Sequence, residues 1–167
     1  MKLKQVFQQF LDEEKWEDKI EFDGYDHSDF VATNFVIMGQ TYQLHIATYE
    51  NLREIKVVLT PPIKFSASRR DDACRLVNDL NLRIRAGNLE INNDGMLYYR
   101  WNISVEGVEA TPRQFNALLS TAISVFDEIR TASLGAVAFT QLPIDQVLFE
   151  YNSAVANLSR PLDVNLH

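Results

Sequence analysis

Leu97-Tyr98-Tyr99-Arg100-Trp101-Asn102-Ile103-Ser104-Val105 alternates without a break: Leu97, Tyr99, Trp101, Ile103 and Val105 face one side, and Tyr98, Arg100, Asn102 and Ser104 face the other. Successive side chains of a strand point to opposite faces, so this period of two predicts a strand with one covered face. A sheet covered on one face reads apolar-in and polar-out and is antiparallel, since parallel sheets are buried on both faces.

Working outward, Leu89 and Ile91 lead into Asn92-Asn93-Asp94-Gly95, whose Asp-Gly pair is favoured where φ must be positive, so a hairpin precedes the long strand. Before it, Ala73, Leu76, Val77, Leu80 and Ile84 recur at the helical period. Ser68 is the expected N-cap, Asp71 and Asp72 suit the positive end of the helix dipole, and Gly87 is the expected left-handed stop. After the long strand, Thr111-Pro112-Arg113-Gln114 is a capping box with proline at the first helical position. The helix it opens carries Phe115, Leu118, Leu119, Ala122, Phe126 and Ile129 and is expected to run to about Ser133.

Three more strands are expected further upstream. Val31, Thr33, Phe35 and Ile37 alternate with Ala32, Asn34 and Val36; Tyr42, Leu44, Ile46 and Thr48 alternate with Gln43, His45 and Ala47 across Met38-Gly39-Gln40. Ile55, Val57 and Leu59 make a third strand, stopped at Pro61-Pro62, where no N–H is available to the ladder. An N-terminal helix carries the stripe Leu3, Val6, Phe7, Phe10 and Leu11, with Gly24 in the loop beyond it. Past Gln141-Leu142-Pro143, the residues Val147, Leu148, Tyr151, Val155 and Leu158 predict a last amphipathic helix ending near Arg160-Pro161. The expected order is α-βββ-α-ββ-α plus a C-terminal helical tail: an α+β fold with helices on one face of an antiparallel sheet. Residues 1–138 form the domain and 139–167 a C-terminal helical extension.

Composition narrows the function. A hydrophobic fraction of 46% and a charged fraction of 23% are ordinary for a globular chain of 167 residues, long enough for a full core without disulfide or metal support. The net charge of −7 repels phosphate backbones and anionic lipid, which argues against nucleic-acid and membrane partners. A lone cysteine, no apolar leader near Met1 and no apolar run near the roughly 20 residues of a membrane span make the cytoplasm the expected compartment. The sequons at Asn102 and Asn157 then have no consequence.

Catalytic and metal constellations are not recognisable. His27, His45 and His167 are far apart with no paired His or Cys spacing, so His45 reads as a structural strand residue. Cys74 follows Arg69 and Arg70, which could activate a thiol, but no orienting base accompanies it, and it reads as a small core or flank residue. The acids Asp12, Glu13, Glu14, Glu17 and Asp18 lack calcium-loop spacing and read as a solvated helix end, and Asn92–Gly95 reads as turn chemistry. No catalytic, cofactor or metal residues are expected. Tyr42, Tyr49, Tyr98 and Trp16 occupy positions where the far side of the sheet could leave aromatics for an interface.

Leu76-Val77-Asn78-Asp79-Leu80-Asn81, Ile84-Arg85-Ala86-Gly87-Asn88-Leu89-Glu90-Ile91, Asp94-Gly95-Met96-Leu97-Tyr98-Tyr99-Arg100 and the Thr111-Pro112 helix together resemble the bacterial YbjN-like family. The resemblance covers about Met1 to Ser133, includes that family's recurring Asn-x-x-Asn helix end at Asn78 and Asn81, and leaves the tail outside. It implies the type III secretion chaperone-like fold and a sensory-transduction or stress regulator. It carries over no catalytic residue, and it implies dimerisation, with a client's extended segment bound along helices and sheet. A tail outside the shared pattern puts direct secretion-chaperone activity in question.

Elimination and resemblance converge on a non-enzymatic, protein-binding, chaperone-like or regulatory homodimer. Its partner is a second copy or an extended segment of another protein. Tyr98, Arg100 and Asn102, on the polar side of the longest strand, are the expected protein-binding residues. Asn78 and Asn81 are expected to be structural, fixing the end of their helix. The alternative is a small-molecule sensor with an apolar pocket between sheet and helices, lined by Tyr99, Trp101 and Phe126.

Overall fold

The alternation around Trp101 is a strand, and the residues on either side of it form the sheet it requires. The computed structural model describes residues 2–158. The elements are α1 (Leu3–Glu13), β1 (Glu21–Asp23), β2 (Ser28–Ile37), β3 (Gln40–Tyr49), β4 (Glu54–Thr60), a 3-10 turn (Ala67–Arg69), α2 (Arg70–Asn81), β5 (Asn88–Ile91), β6 (Leu97–Ser104), α3 (Pro112–Val125), α4 (Glu128–Phe139) and α5 (Ile144–Leu158). The six strands pair antiparallel in the order β1-β2-β3-β4-β6-β5. The fold is α+β.

The register places the predicted apolar sets on one face: Val31 lies opposite Ile46, Ile46 opposite Val57, and Val57 opposite Trp101. Among the described residues, helices cover that face alone. In α1, Leu3, Val6, Phe7, Phe10 and Leu11 are fully buried. Burying a side chain of this size stabilises by about 1.5–3 kcal/mol, so this stripe outweighs the helix's weak intrinsic preference. Phe7 and Phe10 stack on Phe115 of α3 at 5.0 and 5.3 Å between ring centres, locking α1 to α3. Further out, α5 packs on α4 and α2. There Arg75 is paired with Asp145 at 2.8 Å, and the Arg69 guanidinium donates to the Leu142 carbonyl at 2.7 Å.

Four local expectations are corrected. The sheet gains β1, a three-residue strand with no apolar alternation to announce it, paired over Ser28–Phe30. The helix opened by Pro112 stops at Val125 and does not reach Ser133. Phe126 leaves the helical path to pack edge-on against Tyr42 at 5.2 Å, and Asp127 then caps α4, accepting from the Arg130 backbone N–H at 2.8 Å. The α2 helix begins at Arg70 after a 3-10 turn, so Ser68 is not its N-cap. It ends at Asn81, six residues before Gly87.

Gly87 serves a different purpose. Its φ is +69°, and a Cβ there would stand 2.4 Å from the Tyr99 hydroxyl and 2.7 Å from the Arg100 carbonyl oxygen. Glycine lets the chain turn from α2 into β5 while touching β6. The Thr111 box is as expected, with the Thr111 N–H donating to Gln114 Oε1 at 2.7 Å. The predicted end of α5 near Arg160-Pro161 lies outside the described residues.

Candidate functional site

The face of the sheet away from the helices is open among the described residues. Across it run Asn34, Gln43 and Thr60, then Ala32, His45, Val58, Arg100 and Asn88, then Phe30, Ala47, Lys56 and Asn102, each row set by the register. Ala32, Asn34, Gln43, Arg100 and Asn102 are exposed. A depression of about 360 Å³ lies on this face, lined by Ala32, Asn34, Gln43, His45 and Thr60.

All three expected protein-binding residues lie on this face. Tyr98 and Arg100 converge on one carboxylate: the Tyr98 hydroxyl donates to Glu90 Oε2 at 2.8 Å, and the Arg100 guanidinium donates to Glu90 at 2.6 and 2.9 Å. The hydrogen bond to Glu90 holds the Tyr98 hydroxyl above its ordinary value, and burial adds to it. Asn102 is exposed and makes no side-chain hydrogen bond among the described residues. Sequence reasoning did not nominate Glu90. Its pairing with Tyr98 across the β5–β6 ladder is legible only once the hairpin register is known.

His45 was read as structural, and its surroundings explain how it is held. Its ring stacks on Phe30 at 5.2 Å with 22° between the planes. Burial holds the imidazole below its usual value and the Lys56 charge adds to that, while Asp23 and Asp26 oppose it. Beside it, Lys56 Nζ stands 5.8 Å from the Tyr49 ring centre and 3.4 Å from its hydroxyl.

The other aromatics divide. Tyr42 is buried at 1% exposure, in the core with the apolar set of β3 and not on the surface, and burial holds its hydroxyl above the ordinary value. Trp16 is half-buried with its edge on Phe10 at 5.5 Å. Tyr99 and Phe126, named as pocket residues, are closed into the core, and burial pushes the Tyr99 hydroxyl up to about 12. Trp101 packs against the same core. A cavity of about 310 Å³ lies between α4 and α5, lined by Ile129, Ala132, Val147 and Tyr151 among others.

The remaining chemical candidates stay apart. Cys74 is exposed on α2, a flank rather than a core residue. The arginines before it are spent elsewhere: Arg69 on Asp72, Val137 and Leu142, and Arg70 on the carbonyls of Asn92 and Asn93. His27 occupies a left-handed turn between β1 and β2, and His167 lies outside the described residues. Asp12 and Glu13 accept from Gln8 and Gln9 one turn back, both at 2.9 Å, and Glu14 accepts from Asn116. Asn92 Oδ1 accepts from the N–H groups of Asp94 and Met96, both at 3.0 Å, which is the turn chemistry expected there. Among the described residues no three His, Cys, Asp or Glu side chains converge as a metal site would require, and no helix is long and apolar enough to cross a membrane.

Asn81 carries the structural role predicted for it, through a different contact. Its side-chain amide donates to the Leu89 carbonyl at 2.9 Å and accepts from the Leu89 N–H at 2.8 Å, docking β5 onto the end of α2. Asn78 is exposed and makes no such bond among the described residues.

No curated protein sequence matches the chain. Solved structures that align with the chain include the HopA1–SchA chaperone–effector complex (10% identity, 72% of this chain and 87% of that one, TM-score 0.48). The ExsC–ExsE complex aligns at 11% identity over 74% and 90%, with a TM-score of 0.45. YbjN from E. coli aligns at 12% identity over 90% and 92%, with a TM-score of 0.48. The sequence itself gives a firmer assignment: the YbjN family, described as a putative bacterial sensory transduction regulator, matches residues 4–134, from the first turn of α1 into α4. With the Asn81–Leu89 clasp, the Gly87 crossing and the α3 capping box all inside that span, the chain belongs to the YbjN family.

Proposed function

We propose that this chain is a non-enzymatic protein-binding domain, chaperone-like or regulatory, that acts as a homodimer in the cytoplasm and grips a protein partner with the open face of its sheet. One observation carries the reading: among the described residues the helices lie on one side of a six-stranded sheet, while the other side bears half-buried aromatics among exposed amides. Such a face is partly apolar and carries a shallow depression, and half-buried aromatics supply large contact area at low entropic cost. Family membership supports a regulatory role. The extension from residue 139 lies beyond the family match, and its helix α5 sits on α4 and α2, away from the open face.

Tyr98, Arg100 and Asn102 are the binding residues on this reading. The test is affinity capture from a bacterial lysate with the full chain as bait, read by mass spectrometry, beside a Tyr98→Ala/Arg100→Ala double variant and an Asn102→Ala variant. Each variant should keep the wild-type far-ultraviolet circular dichroism and lose most captured partner. Folded variants that capture as the wild type does would remove this face from the mechanism.

A further inference from the structure

The sheet has an edge that its own chain leaves unfinished. β1 pairs with β2 only over Ser28–Phe30, so Val31–Ile37 has no strand on its outer side among the described residues. An unpaired edge offers a row of backbone N–H and C=O groups, and folded proteins shield such edges with charge, proline, a bulge or a covering segment. Val31-Ala32-Thr33-Asn34-Phe35-Val36-Ile37 contains no charge and no proline, and its ladder with β3 has no bulge. Residues 14–20, which lead into β1, make no backbone hydrogen bond to it, and Ile20 turns inward against the core. Val36 is 66% exposed.

We infer that this edge is the homodimer interface: β2 of one copy pairs antiparallel with β2 of a second, joining the two sheets into one. The inference rests on the homodimer reading above and names its surface.

Length, pattern and charge select a second copy as the occupant. A ladder centred on Asn34 sets Val31 opposite Ile37 of the second copy, Ala32 opposite Val36, and Thr33 opposite Phe35. The paired run ends at Val31, where β1 begins to cover the edge, and at Ile37, where the Met38-Gly39 turn takes the chain away. Residues facing each other in this register share a face, so both helix layers lie on one side and both open faces on the other. Pairs of β-branched with aromatic and of β-branched with β-branched side chains are favourable across an antiparallel ladder. A chain of net charge −7 repels its copy over most of its surface, yet Phe30 to Gln43 contains no Asp, Glu, Lys or Arg. Two copies can meet there without opposing like charges.

The test uses the full chain in sedimentation velocity. The wild type should be a dimer. Ala32→Lys with Val36→Lys, both at exposed positions, sets lysine against lysine twice across the two-fold axis and should raise the dissociation constant about tenfold or more. Ala32→Glu with Val36→Lys sets opposite charges there and should stay dimeric. In a Cys74→Ser background, Asn34→Cys should oxidise to a disulfide-linked pair, while Gln43→Cys, one strand in from the edge, should not. A wild type that runs as a monomer, with or without a segment of another protein on this edge, overturns both the homodimer reading and this interface. A wild-type dimer that survives the double lysine change and gives no Asn34→Cys cross-link overturns this interface alone.

Discussion

Replacing Asn81 by alanine tests the link between sequence motif and fold most directly. Its amide makes two hydrogen bonds to one residue, to the Leu89 carbonyl at 2.9 Å and from the Leu89 N–H at 2.8 Å, and Leu89 is only 2% exposed. Leu89 pairs with Tyr99 on its other side, so the Asn81 bonds satisfy the side of β5 that no strand covers. Asn81→Ala leaves a part-buried donor and a part-buried acceptor without partners, each costing up to about 1–3 kcal/mol. The site is only partly buried and water can recover some of this, so the expected loss is about 2–4 kcal/mol. At this chain length about 1 kcal/mol moves Tm by about 2–4 °C, giving a fall of about 5–15 °C. The assay is urea unfolding followed by Trp16 and Trp101 fluorescence, with an unchanged m-value showing that the transition is the same. Asn78→Ala, three residues away and exposed, should stay within about 0.5 kcal/mol of wild type. Asn81→Asp should not rescue, because its charge would face the Leu89 carbonyl oxygen. A wild-type midpoint for Asn81→Ala, or an equal loss for Asn78→Ala, would refute the clasp.

Gly87→Ala should destabilise by about 2 kcal/mol or more, because the added Cβ meets the Tyr99 hydroxyl and Arg100 carbonyl and the backbone is left-handed; a change below about 0.5 kcal/mol in the same urea assay counts against the close crossing. Met38 holds φ +51° beside Gly39 in the β2–β3 turn, a conformation asparagine tolerates better, so Met38→Asn should stabilise by about 0.5–1 kcal/mol, and a lowered Tm would contradict this. Burial first and Lys56 second hold the His45 imidazole below its ordinary value, so the folded chain binds fewer protons there than the unfolded one. That contribution to stability is complete above about pH 6.5 and is lost as pH falls through the folded value. His45→Gln should flatten the urea midpoint against pH between about 7 and 5, and a slope equal to the wild type would refute the assignment.

The legible parts of the fold were those where a side chain repeats with the backbone's own period. The alternations in β2, β3, β4 and β6 and the stripes of α1, α2 and α3 report which face is buried, because burial is what selects apolar residues there. What failed lacked that selection. β1 is short and mostly exposed, so pairing with β2 leaves no apolar mark. The break at Phe126 comes from a tertiary contact, its ring turning onto Tyr42, and the only local sign was Asp127 as a possible cap. Gly87 looked like a helix stop because positive φ has one sequence signature and several uses, here a crossing against β6.

The nominated surface was legible as a face but not as a network, and the difference bears on what it can recognise. Arg100 and Tyr98 looked like free groups on the polar side of a strand. Both are committed to Glu90, whose two carboxylate oxygens take all three bonds. An acidic partner would have to displace a carboxylate already held at 2.6 Å, exchanging one such contact for another with little net gain. Their part in binding is then to present a rigid, part-apolar rim rather than a free cation. Among the described residues, the uncommitted exposed amides of this face are those of Asn34 and Gln43, which face each other across β2 and β3, of Asn102 on β6 and of Asn88 on β5. An amide both donates and accepts, so it can satisfy the backbone of an extended chain whatever that chain's side chains are. On the proposed reading, contact area would come from Phe30, His45 and Tyr98, and polar satisfaction from the amides. Such a face discriminates by backbone shape and apolar fit more than by charge, which suits a domain whose net charge of −7 already repels acidic partners.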